Sequence, residues 1–153
     1  MTSQYEYLLN ELKTELRVRR IGYKRIIRLI NRQEYDEIRA IVDDYVINTL
    51  IDGIIAERDA IGITVANTFN TLVLLNDLLL VFKEDPQPSL TKARKLFRRK
   101  VFINIYDLVA GRYEMRTTKR VLRDDIRRNP DRVFPLRNAK RHQVLKCFLL
   151  SIY

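Results

Sequence analysis

Turn-forming residues are scarce: the 153 residues include only 4 Gly and 4 Pro. A sheet-rich chain of this length needs many more reversals, and each reversal favours these residues. Long helices joined by few breaks are therefore the expected outcome. The hydrophobic share of 46% supplies enough apolar side chain for a core, and the 31% charged share does not reach the balance of a disordered chain. The expected fold is an all-α, single-domain bundle of five to six helices over residues 1–153, with a hydrophobic helix at its centre.

The breaks can be placed. Ser3 and Glu6 have capping-box spacing and start a first helix carrying Leu8, Leu9, Leu12 and Leu16. Gly22 bends or interrupts it, and Ile26, Ile27 and Ile30 carry the apolar stripe to about Arg32. A second helix is predicted over 34–60, where Tyr35, Ile38, Val42, Tyr45, Val46, Leu50 and Ile54 recur at helical intervals. A third, the central one, is predicted over 63–83 and ends before Asp85-Pro86. Ser89 caps a fourth over 90–110, which Gly111 stops in a left-handed conformation. A fifth covers 113–128 and a short last one follows Asn138. β-Branched residues leave strand readings open at 62–68 and 101–105.

Residues 61–82 carry one charge, Asp77, and are long enough to span a bilayer. Asn67, Asn70, Asn76, Thr64, Thr68 and Thr71 make a poor lipid-facing surface, so no membrane span is expected. The N-terminus has no signal-peptide pattern, and the single Cys147 can form no internal disulfide. The expected setting is reducing and intracellular, either cytoplasmic or associated with nucleic acid, the interior of a virion included.

Charge is segregated along the chain. Residues 1–85 carry 11 basic and 14 acidic side chains, and residues 86–153 carry 18 and 5, giving a basic half behind an acidic and apolar one. Within the first half, 16–33 hold seven basic residues and no acidic one, followed by acidic 34–59. On a continuous fifth helix Arg112, Arg116, Lys119, Arg120, Arg123 and Arg127 would share one face over roughly 22 Å. The fourth helix adds Arg94, Lys95, Arg98 and Arg99, beside Lys92 and Lys100. Arg outnumbers Lys by 20 to 9, and its planar fork matches phosphate.

These ten residues are the candidate nucleic-acid-binding set, contacting phosphates rather than reading bases, with DNA expected ahead of RNA. The bland alternative is that the stripes solvate helices and pair with 34–59. A further alternative is a structural or adaptor subunit of an oligomer or viral assembly, whose acidic and basic surfaces face each other in neighbouring copies. A helix-turn-helix can be drawn over 105–128, but its register puts Arg120 and Arg123 where apolar residues should pack. Among the eight tyrosines, Tyr23 and Tyr113 lie among basic residues and could stack on bases.

An enzyme is not expected, nor any cofactor or metal. His142 follows Lys140 and Arg141, cationic neighbours that lower its pKa, and Cys147 reads as a packed thiol. Neighbouring carboxylates at Asp43-Asp44 and Asp124-Asp125 point about 100° apart on a helix, and no Gly-rich phosphate loop or zinc motif is present.

Overall fold

A computed structural model describes residues 3–135 together with Leu145 and Phe148. The predicted last helix, with His142 and Cys147, lies outside the described residues. Among the described residues the chain is all-α: 73% is helical and there are no strands. Eight α-helices follow in order: α1 Gln4–Val18, α2 Tyr23–Asn31, α3 Tyr35–Ile41, α4 Tyr45–Thr68, α5 Leu72–Val81, α6 Leu90–Lys100, α7 Ile105–Val109 and α8 Lys119–Arg128. Short 3₁₀ turns occupy Tyr113–Met115 and Pro130–Arg132.

Caps explain most of the helix starts. The Glu6 N–H donates to Ser3 Oγ (3.1 Å), Lys92 N–H to Ser89 Oγ (3.2 Å) and Leu74 N–H to Thr71 Oγ1 (3.3 Å). Asp44 Oδ1 accepts from Val46 and Ile47 (2.9 and 3.1 Å), opening α4. Each side-chain oxygen satisfies an amide that the helix itself leaves without a partner.

The described residues of Met1–Asp59 and Ile126–Val133 form one compact unit, and those of Ala60–Asp125 and Phe134–Tyr153 a second. The first buries Leu9, Leu12 and Leu16 of α1, Ile26, Ile27, Leu29 and Ile30 of α2, and Ile47, Ile51 and Ile54 of α4. Its Pro130–Arg132 turn lies on α2: Asn31 Nδ2 donates to Pro130 O (2.9 Å), Tyr5 Oη to Asp131 O (2.8 Å) and Tyr23 Oη to Asp131 Oδ2 (2.9 Å). Arg58 is buried, with Nε 3.3 Å from Tyr5 Oη and its guanidinium 5.9 Å from the ring centroid.

The second unit packs α5 against α6 around aromatic rings. Phe82 meets Phe97 (6.0 Å) and Tyr113 (5.5 Å), and Phe97 meets Phe148 (4.6 Å). A Cβ on Gly62 would stand 3.2 Å from Phe134 Cζ, so this glycine provides packing room within α4 and not a turn.

Several predicted boundaries differ. The 34–60 helix is interrupted at 42–44, and α4 then continues through Gly62 to Thr68. The single central helix over 63–83 does not form. Its residues divide between the end of α4 and α5, whose axes bend by 102° across the break. Helix α5 keeps an open side: Val73, Leu74, Leu80 and Val81 are 69%, 41%, 55% and 52% exposed. No single helix among the described residues is long and apolar enough to cross a membrane. Instead of running on to residue 110, α6 stops at Lys100. The open strand reading after it reduces to one antiparallel bridge, Phe102 to Thr117.

Candidate nucleic-acid interface

The ten candidate residues separate into three fates. Burial of Ala93 and Phe97 fixes the rotation of α6 about its axis, and at 100° per residue this turns Lys92, Lys95, Arg98 and Arg99 outward within about a third of the helix surface. All four are exposed, and Lys100 is exposed beside them. Arg98, Arg99 and Lys100 also fill the last turn, where cations complement the negative end of the helix dipole. Arg94 is only half exposed, and its Nε is buried without a hydrogen-bond partner among the described residues.

On α8, buried Leu122 marks the inner side, about 110° around the helix from the middle of the cationic arc. Lys119, Arg120, Arg123 and Arg127 then fall within about 100° of one another. Lys119, Arg120 and Arg127 are exposed and Arg123 is half exposed. This part of the predicted stripe exists.

Arg112 and Arg116 are not part of it. The predicted helix over 113–128 is replaced at its start by the 3₁₀ turn and an extended stretch at 116–118. Arg112 Nε pairs with buried Asp107 at 3.0 Å. Arg116 turns inward: Nη1 donates to the Phe82 carbonyl, and Nη2 donates to Glu84 Oε1 (3.2 Å) and to Lys100 O (2.9 Å). Its guanidinium also stands 5.6 Å from the Phe82 ring centroid. Two of the ten proposed phosphate ligands thus have local acceptors in the fold. The same break removes the helix-turn-helix outline, because α7 has five residues and the connector to α8 runs from Ala110 to Thr118.

The tyrosines singled out for stacking are engaged as well. Tyr113 packs edge-on against Phe82, and the Tyr23 hydroxyl donates to Asp131. Burial, followed by the Asp131 carboxylate, pushes the Tyr23 phenol well above its ordinary pKa.

Neutralisation can be assessed directly, because all 19 acidic side chains fall between Glu6 and Asp131, within the described residues. None of them forms an ion pair with Lys92, Lys95, Arg98, Arg99, Lys100, Lys119, Arg120, Arg123 or Arg127 among the described residues. Among those residues, no group of three or more His, Cys, Asp or Glu could hold a metal ion. Compared with known proteins, the chain matches no family model, no curated protein and no solved structure.

Proposed function

We propose that the chain is a non-enzymatic protein that binds nucleic-acid backbone, DNA in the first instance, and coats or packages it. One observation supports this reading most: the outer faces of α6 and α8 hold eight cations, Lys92, Lys95, Arg98, Arg99, Lys119, Arg120, Arg123 and Arg127, with no acidic partner among the described residues. Like charges aligned this way repel one another. A polyanion reverses the repulsion and releases condensed counterions as it binds. Regular lines of guanidinium and ammonium groups suit phosphates, which carry no base sequence.

The test is a salt titration of binding to a labelled duplex oligonucleotide. Affinity should fall linearly on a log–log plot. K92S/K95S/R98S/R99S should make the slope shallower by about 3 to 4, at about 0.9 for each phosphate no longer neutralised. Affinity that does not respond to salt would end the reading.

A second reading, a structural or adaptor subunit of a protein assembly, is favoured by a different observation. Val73, Leu74, Leu80 and Val81 leave one side of α5 open and largely apolar around a single exposed carboxylate, Asp77, as the rim of an unfilled subunit interface would be.

A further inference from the structure

The basic run at 16–33 has no part in the reading above, although it is as strongly charged as α6. If it neutralised the acidic run that follows it, ion pairs should connect the two. Only Arg19 does so, through Asp44 at 3.0 Å and with its own-helix neighbour Glu15 at 2.8 Å. These hydrogen bonds, Glu15 first, hold the Arg19 guanidinium above its ordinary pKa. Arg17, Arg20, Lys24, Arg25, Arg28 and Arg32 form no ion pair among the described residues, where every acidic side chain lies, and all reach solvent.

Helix α2 gives this charge a fixed shape. Ile26, Ile27, Leu29 and Ile30 are buried, so Lys24, Arg25, Arg28 and Arg32 must stand on the opposite side, within about 100° of arc. From Lys24 to Arg32 the line runs about 12 Å, the axial length over which one strand of a duplex presents three to four phosphates. The arrangement opposes local stability in two ways. Lys24 with Arg28, and Arg28 with Arg32, repel at the i,i+4 spacing, and Lys24 and Arg25 crowd the positive end of the helix dipole, where acidic residues are favoured. The helix cap there is Gly22, which has no side chain to bond the first amides. A concavity of about 370 Å³ opens at this end, lined by Lys13, Tyr23, Lys24 and Arg25. Lys13 Nζ stands 5.4 Å from the Tyr23 ring centroid, and the one carboxylate in the lining, Asp131, accepts the Tyr23 hydroxyl.

We propose that the first unit carries a second, separate surface for nucleic-acid phosphates, formed by Lys24, Arg25, Arg28 and Arg32. It rests on the nucleic-acid reading above and adds a second point of attachment to it. An acidic protein surface would need no such regular line of charge, and stable anchoring on a bilayer takes an exposed apolar face or a lipid chain in addition to basic residues. On α2 that face is buried.

The experiment uses the full chain in four forms: unaltered, K24S/R25S/R28S/R32S, K92S/K95S/R98S/R99S, and the charge-conserving R25K/R28K/R32K. Each is titrated with salt against a labelled duplex oligonucleotide, against polyglutamate and against phosphatidylserine vesicles. Melting curves confirm that each variant is folded, as expected for replacements at solvent-facing positions. The α2 serine variant should lose about 3 to 4 from the salt slope on DNA, while the lysine variant retains it. An unchanged slope in the α2 serine variant overturns this proposal, and a loss confined to the α6 variant leaves the α6 and α8 surface standing without it. A loss confined to the α2 variant supports the proposal and removes α6 from the interface. Binding to polyglutamate or to vesicles, with none to DNA, overturns the proposal and replaces the partner.

Discussion

Arg116 separates a structural arginine from a phosphate ligand, because the two roles predict opposite phenotypes. Replacing it with alanine strips a donor from the carbonyls of Phe82 and Lys100 and from the carboxylate of Glu84. Hydrogen bonds that involve a charged group contribute roughly 1.5 to 3 kcal/mol each when protected from water. The Arg116 and Glu84 side chains are 30% and 21% exposed, so solvent screening reduces the total to about 3 kcal/mol. In a chain of this size, where 1 kcal/mol moves the midpoint by roughly 2–4 °C, R116A should melt about 6–12 °C below the parent. R116K keeps the charge but cannot reach three diverging acceptors, so it should recover less than half of the loss. The assay pairs far-ultraviolet melting curves with the salt slope for duplex DNA, measured well below both midpoints. R116A should retain the full slope. An unchanged melting temperature with a slope shallower by about one would mean that Arg116 points at phosphate, and the inward geometry would be refuted.

Two further outcomes test other parts of the structure. Hydrogen bonds from the Ile47 N–H, and next from Arg19, hold the Asp44 carboxyl below its ordinary 3.8, so the folded state binds a proton less readily than the unfolded state. The resulting stability is present above the unfolded value and is lost as pH falls through the folded one. D44N should therefore be less stable than the parent at neutral pH and converge with it in strong acid, by urea midpoints; a constant gap would exclude the charge as the cause. For the assembly reading, V73S/L80S should leave DNA binding intact but convert any sedimenting oligomer to monomer. An unchanged oligomer would show that this side of α5 is not the interface.

The chain's helical class and several of its punctuation marks can be read directly from residues. Ser3 and Ser89 cap as their spacing requires, the break before α2 falls at Gly22, and Gly111 takes φ +74° just after α7. The differences share a cause. In sequence Asp44 looks like half of a carboxylate pair, yet its position fits an N-cap, and Thr71 looks like one of several polar residues within a long helix. A cap and an interior polar residue are alike until the backbone direction is known. Gly62 suggests a boundary, but the backbone continues because the space of the missing Cβ is needed by Phe134. Val101 to Ile103 set β-branched residues against helix formation, and that local preference prevails over extension of α6.

The cationic site is legible to a different degree in its charge and in its geometry. A surplus of ten positive charges cannot be cancelled by any folding of the chain, so some of it has to face solvent. Which residues carry it depends on helix continuity, and the six-residue stripe assumes 3.6-residue periodicity across 116–118, where the backbone is extended. With that turn outside the helix, Arg112 and Arg116 come within reach of Asp107, Glu84 and two carbonyls. Helices whose apolar faces are pinned retain their outward charge: Phe97 fixes α6, Leu122 fixes α8, and the isoleucines fix α2. Buried apolar residues on the same helix are therefore a better guide to an exposed arginine in this chain than the spacing of the arginines themselves.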